Sequence, residues 1–393
     1  MFFERNVIKK IKEVIPREEF IIISGARQTG KTSILLMLKN YLEEDGKICH
    51  YFNLENSEYL KLLNENPYNI FELIPEKKTR QILFIDEIQY LDNPTNFLKL
   101  LYDEKREKIK IIASGSSSFY IDRKFKDSLV GRKFLFEVYP LYFDEWLIFQ
   151  NEEELLKKIN GRLTIYDKEK LQSYWNSYIL YGGYPKVVLA ENDELKKILL
   201  EEIGTSYIKK DALDAGVRNT DKYFTLLKIL AGQTGQMVNT QEISNTLNMA
   251  RKTIDEYLYI IKKSYQAACI QPYYRNIRKE LTKMPKIYFY DLGLRNFFLN
   301  NFNEMRSRSD RGPYLENIAF REFLRQKGKT DGIKYWRTQD KKEIDFIIGK
   351  EAFEIKSNEN KKDEKKYAKF KEQYPDIKFS FLTQDEIMNY FYA

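Results

Sequence analysis

The chain has 393 residues, 43% of them hydrophobic, with 66 Lys/Arg against 58 Asp/Glu and a net charge of +8. That length predicts two or three domains with real cores. No apolar run approaches the ~20 residues of a membrane span, and the lone histidine, His50, excludes His-clustered zinc sites and triads that draw on a second histidine.

Any metal chemistry must therefore rest on oxygen ligands, which favours magnesium or manganese. The first 150 residues carry equal numbers of each charge, so the whole excess falls after them. A basic second half suits a polyanion, most simply DNA. The N-terminal stretch MFFERNVIKKIKEVIP lacks an apolar signal core and reads as a short amphipathic helix. Cys49 and Cys269 read as buried thiols in a reducing cytoplasm.

The first domain is expected over 1–150. Phe20 to Ser24 is an apolar strand, Gly25-Ala26-Arg27-Gln28-Thr29-Gly30-Lys31-Thr32 matches GxxxxGK[ST], and Ser33 to Leu42 has helical spacing. Glycines let such a loop wrap its amides around phosphate oxygens, and the helix N-terminus adds partial positive charge. Lys31 is expected to reach the β- and γ-phosphates and Thr32 to ligate magnesium, with Ser33 completing the nucleotide-binding run. QILFIDEIQYL, residues 81–91, is a strand ending in two carboxylates. Asp86 is read as a magnesium ligand and Glu87 as the base that orients and deprotonates water. IKIIAS (109–114) is a third strand. Its extension GSSSF places a serine near the γ-phosphate, Ser116 first and Ser114 as the alternative. Arg132 follows a glycine and precedes a strand. An arginine there reaches a γ-phosphate in its own subunit or a neighbour's, which brings homo-oligomers among the expected partners.

These motifs carry a resemblance. GARQTGKT, LFIDEIQ, SGSSS and VGRKFLFEVYPLYFDEW resemble the AAA+-type P-loop ATPases grouped as the MNS clade, relatives of STAND signalling NTPases. GGYP (182–185) and KIYFYDLGLR (286–295) also look like that group, so the resemblance covers nearly the whole chain. It implies an α/β fold class: a RecA-like P-loop parallel sheet, a helical lid, a winged helix-turn-helix and a C-terminal α/β PD-(D/E)XK-like domain. It implies ATP with Mg2+, and no guanine-specifying tetrapeptide contradicts that.

Residues 151–220 read as polar lid helices, with GGYP either a structural turn or a relay of nucleotide state. The winged helix is expected over 221–305. YFTLLKILAGQTGQ is its first helix, NTQEISNTLN its second, with Asn239 as N-cap and Glu242 in a capping box, and RKTIDEYLYIIKK its third. CIQPYYRN and KIYFYD are the wing strands. Residues 239–290 hold nine basic and four acidic residues. Arg251, Lys252 and Thr253 open the third helix, and Arg275, Arg278, Lys279 and Lys283 lie on the wing, all candidates for DNA contact. A rigid spacer or protein dock is the alternative use of such a domain.

The last domain, 306–393, reads α-β-β-β-α-β. Its helix YLENIAFREFLRQKG has an apolar stripe of Leu315, Ile318, Ala319, Phe323 and Leu324. If EIDFIIGKEAFEIKS turns at Gly349-Lys350, Asp345 lies opposite Glu354 and Glu343 opposite Lys356. Strict alternation then puts Ile344, Phe346, Ile348, Phe353 and Ile355 on the buried face and the charges on a solvent-facing one. Opposed carboxylates repel unless a divalent ion joins them. The pattern is similar to PD-(D/E)XK nucleases, although Ile344 stands where the namesake proline would. The resemblance implies Glu316, Asp345 and Glu354 as ligands of a second Mg2+ or Mn2+, and Lys356 as the cation orienting water or the transition state. The expectation is an ATPase acting on DNA, with cleavage open. The alternative is a nucleotide-switched signalling or defence ATPase whose C-terminal domains bind without cutting.

Overall fold

The computed structural model describes residues 3–116, 129–159, 161, 163–274, 284–338, 340, 342–358 and 362–392. Two compact units divide it: Met1–Pro140 with Lys263–Tyr265, and Leu141–Lys262 with Gln266–Ala393.

The first unit is a parallel sheet of β1 (Phe20–Gly25), β2 (Cys49–Asn53), β3 (Gln81–Asp86), β4 (Ile109–Gly115) and β5 (Lys133–Val138), in the order β2-β3-β4-β1-β5. Alternation along β1 serves two cores. Phe20 and Ile22 pack with Phe97, Leu98 and Leu101 of the helix Pro94–Lys105. Ile21 and Ile23 pack with Ile34, Leu35 and Leu38 of the helix Lys31–Glu44 and with Ile8 and Ile11 of the helix Asn6–Val14. A sheet covered on both faces requires near-continuous apolar strands, and β1, β3 and β4 are buried throughout. This is a mixed α/β fold with a RecA-like parallel sheet. Among the described residues no helix is long and apolar enough to cross a membrane. Both cysteines are half-buried rather than buried.

In the second unit, GGYP and the later Gly293 make close backbone contacts that a side chain would block. A Cβ on Gly183 would lie 2.1 Å from the Leu141 carbonyl oxygen, and one on Gly293 2.1 Å from that of Tyr181. Asp291 binds the two stretches together, accepting from the Gly183 amide at 2.8 Å while capping the helix Leu292–Leu299 through the Leu294 amide. Helices Thr220–Gly232, Thr240–Leu247 and Arg251–Lys263 follow the expected order. The Asn239 side chain caps the second through the Gln241 and Glu242 amides.

A second sheet joins β6 (Ala267–Pro272), β7 (Lys286–Phe289), β8 (Lys334–Arg337), β9 (Glu343–Ile348), β10 (Glu351–Lys356) and β11 (Lys378–Thr383), in the order β11-β10-β9-β8-β6-β7. The expected boundary at 305/306 falls within one compact unit, where β6 pairs with β8 across it, Gln271 opposite Lys334.

The β9–β10 register is the one the turn arithmetic gives, with Glu351 opposite Ile348 and Phe353 opposite Phe346. Strict alternation fails, however. Between the pairs Lys334↔Ile347 and Trp336↔Ile344, β9 advances three residues while β8 advances two. The extra residue, at Asp345–Phe346, brings Ile344 into the same core cluster as Ile347, Ala352 and Trp336. The charged face is not solvent-facing either: Asp345 is 6% and Glu354 4% exposed.

Overpacking a closed backbone contact costs about 1–3 kcal/mol. Gly183→Ala should accordingly lower the melting temperature of the full chain, by about 2–4 °C per kcal/mol lost. An unchanged melting curve would show that the turn has slack.

Candidate functional site

β4 lies between β1 and β3, with Ser114 opposite Ile23 and Ala113 opposite Ile85. Parallel strands end together, so the loop after β1, the acids at the end of β3 and the serines at the end of β4 share one edge. The loop turns through left-handed Gln28 (φ 63) and Gly30 (φ 90) into the helix Lys31–Glu44. A Cβ on Gly25 would meet the Val138 carbonyl oxygen at 2.1 Å, so only glycine fits there. Thr29 Oγ1 donates to the Ala26 carbonyl at 2.9 Å. Lys31 Nζ donates to the carbonyls of Gly25 (3.0 Å) and Ala26 (2.8 Å), folded along the loop. Arg5, which sequence reasoning passed over, donates to the carbonyls of Thr29 (2.8 Å) and Tyr139 (2.9 Å), bracing the loop from behind.

Asp86 is 1% exposed and takes four donors. Thr32 Oγ1 and the Tyr51 hydroxyl donate to Oδ2 at 2.7 and 2.8 Å. Ser114 Oγ and the Glu87 amide donate to Oδ1, the latter at 3.1 Å. Burial first, then the Asp86 charge, pushes the Tyr51 hydroxyl well above its ordinary pKa, so it stays a donor. The Thr32 hydroxyl and the Asp86 carboxylate stand side by side, the two oxygen groups that would hold a magnesium ion carried in with nucleotide phosphates. Glu87 has φ 57, a left-handed conformation uncommon outside glycine. Its carboxylate accepts from Gln89 Nε2, which also donates to Ser116 Oγ at 2.9 Å. The Ser116 amide donates to Gln89 Oε1 at 3.2 Å.

These contacts change two expectations. Ser116 is 1% exposed and hydrogen-bonded to Gln89, the residue that donates to Glu87, and Ser114 is bonded to Asp86. Arg132 lies at the opposite edge of the sheet: its carbonyl accepts from the Phe20 amide at the start of β1, and its guanidinium pairs with Asp103 at 2.7 Å. β1 separates it from the loop by about 3.3 Å per residue, so it does not reach a phosphate of its own subunit. Tyr51 and Gln89 were missed because each is placed by tertiary pairing, not by a motif.

In the second unit Arg251 and Lys252 are exposed and Thr253 half-buried at the opening of the helix Arg251–Lys263. Arg251 Nε donates to Thr240 Oγ1 at 3.1 Å. Arg275, Arg278, Lys279 and Lys283 lie outside the described residues.

The C-terminal acids meet a cation instead of one another. Lys286 of β7 is 1% exposed. Its Nζ lies 3.2 Å from Asp345 Oδ1 and 3.5 Å from Glu316 Oε2, and it pairs with Glu343. Burial pulls the ammonium down, but Tyr288, Glu316, Asp345 and Glu343 outweigh it and raise its pKa well above the ordinary value. Glu316 accepts from the Tyr288 hydroxyl at 3.0 Å, and burial with the Asp345 charge pushes it up to about 8 against the pull of Lys286. Asp345 Oδ2 accepts from the Ile355 amide at 2.9 Å. Glu354, pushed up to about 7 by burial and Asp345, is held by Lys356 Nζ at 2.6 Å. Glu343 pairs with Arg337 at 2.6 Å rather than with Lys356. Among the described residues no group of three or more His, Cys, Asp or Glu is arranged to hold a metal ion. The expected second metal set, Glu316, Asp345 and Glu354, thus does not fit one: the Lys286 ammonium stands between Glu316 and Asp345, and Glu354 is held apart by Lys356.

Residues 17–147 match the family described as AAA domain, 172–305 a domain of unknown function designated DUF8612, and 311–391 another designated DUF4143. An uncharacterized protein of Haemophilus influenzae is 28% identical over 92% of this chain and 90% of its own. An uncharacterized protein of Methanocaldococcus jannaschii is 28% identical over 85% of this chain and 73% of its own. Among solved structures, the replication initiator DnaA bound to AMPPCP and single-stranded DNA aligns with TM-score 0.32 and 17% identity, over 66% of this chain and 88% of that one. That likeness is too distant to carry an argument. The AAA match, the P-loop and the parallel sheet make the first unit a nucleotide-binding P-loop ATPase domain.

Replacing a general base lowers the rate by roughly 10²–10⁴-fold. Glu87→Gln should do so in a steady-state ATPase assay while nucleotide affinity is retained. Gln89→Ala should lower kcat without changing KM for ATP. A Gln89→Ala enzyme with wild-type kcat would remove its positioning role.

Proposed function

We propose that the protein is a magnesium-dependent ATPase whose second unit binds DNA, through a winged helix spanning 221–305 and a PD-(D/E)XK-like segment spanning 306–393. The 2.7 Å hydrogen bond from Thr32 to Asp86 carries the first half of this reading. It joins the end of the phosphate loop to the acid of β3, the pair that holds magnesium beside a bound nucleoside triphosphate. When bound, magnesium neutralises charge on the phosphates. The chain's own groups do the rest. The amides of Arg27 to Thr32 receive the phosphate oxygens, and Lys31 swings from its loop carbonyls to the β- and γ-phosphates. Glu87 takes the proton of the attacking water, positioned by Gln89 and Ser116. Nucleotide binding by Lys31→Ala should be lost, with hydrolysis falling to background. Hydrolysis at the wild-type rate in that variant would end this reading.

The DNA half rests on the exposed Arg251 and Lys252 at the head of the third helix. Each phosphate contact contributes about 0.9 to the slope of log affinity against log salt. The double variant Arg251→Ala/Lys252→Ala should therefore flatten that slope by about 2 in a fluorescence-anisotropy titration of duplex DNA. Salt-independent binding, or none, would discard it. The Lys286 ion pairs favour holding nucleic acid over cutting it. They equally favour the second reading, a signalling or defence ATPase whose nucleotide state sets assembly into homo-oligomers. Mass measured with ADP and with an ATP analogue separates the two, since only a switch changes its oligomer and loses that change in Lys31→Ala. Any arginine donated by a neighbouring copy, such as Arg132, belongs to that reading.

A further inference from the structure

Three carboxylates from two elements converge in the second unit: Glu316 from the helix Arg311–Lys327, and Glu343 and Asp345 from β9. Like charges this close repel, and burial strengthens the repulsion. A divalent ion is one remedy. This chain contains another, because Lys286 sends its ammonium from β7 into the centre of the group.

We propose that Lys286 is a resident substitute for the divalent ion, a plug that the segment 172–305 inserts into the acidic cluster of the segment 311–391. Several independent features support the assignment. Both oxygens of Asp345 are used, one by Lys286 and one by the Ile355 amide. Tyr288, two residues along the same face of β7, donates to Glu316 at 3.0 Å, so one strand supplies both the cation and a hydroxyl. The turn before β7's partner stretch closes the cluster from outside: a Cβ on Gly235 would lie 2.6 Å from Glu316 Oε2. The Gly235 amide is tied to the Ile287 carbonyl at 2.8 Å, which fixes that lid to β7 itself. Lys356, the residue a nuclease would aim at its substrate, is spent on Glu354 at 2.6 Å.

The geometry excludes joint occupancy. Magnesium binds oxygens at 2.0–2.1 Å and manganese takes the same hard ligands, whereas these oxygens stand at ammonium distances around Nζ. The C-terminal segment therefore takes up no divalent metal while β7 is docked. The claim is independent of whether the second unit binds DNA.

Manganese binding to the full, nucleotide-free chain tests this, with free Mn2+ counted by electron paramagnetic resonance. Wild type and Asp345→Asn should titrate identically, since ions held at Thr32 and Asp86 are common to both. Lys286→Met should gain one site, tighter than any residual binding by roughly tenfold or more, and Lys286→Met/Asp345→Asn should lose it. A wild-type site that disappears in Asp345→Asn overturns the proposal. So does a folded Lys286→Met protein that gains nothing. If Lys286→Met fails to fold, the comparison of wild type with Asp345→Asn decides alone.

Discussion

An ionised carboxylate taken out of water costs several kcal/mol unless donors or a cation replace what it loses. Both units of this chain are organised around that constraint, and they answer it differently. Asp86 is surrounded by neutral donors from Thr32, Tyr51, Ser114 and the Glu87 amide. Dipoles stabilise the charge without cancelling it, so the carboxylate remains available to a cation that arrives with a ligand. Asp345, Glu316 and Glu343 are answered by a lysine. Their charge is consumed inside the fold, and what remains is an ion-pair cluster that fixes one strand against its neighbours.

Close backbone approach is the second theme. Gly25 admits the Val138 carbonyl beside the phosphate loop, and Gly183 and Gly293 admit Leu141 and Tyr181 in the second unit. In each case a side chain would occupy the space of a carbonyl. The contact then lends its rigidity to something chemical or to a cap: the loop's amides in one unit, Asp291 in the other.

The phosphate loop, Asp86 and Glu87 were legible because their chemistry is contiguous: a strand, a glycine loop and a helix in one stretch of chain. The order of the C-terminal elements and the Gly349 turn were legible for the same local reason, and the register follows from the turn alone. What escaped is what depends on distant pairing. Arg5 and Tyr51 meet the nucleotide site only after the sheet is assembled. The extra residue in β9 cannot be read from an alternating pattern, because the pattern supports the unbulged strand equally well. Lys286 is the instructive case. Counted by composition, it adds to the positive charge of the wing and to the case for DNA, yet it is buried and already neutralised. Arg132 precedes β5 as the sequence suggests, but only the assembled sheet shows that this end of β5 lies away from the phosphate loop of the same chain.

The pairing of β6 with β8 makes two stretches of chain that match separate families into one sheet. An open β8 edge would present unpaired amides and carbonyls to any passing strand, and the acids of β9 would lose their ammonium. Neither stretch can therefore be exchanged alone between proteins without a matching partner. In structural terms the two stretches form one unit. A lineage that lost or replaced the residue at position 286 would be expected to have changed its acids as well.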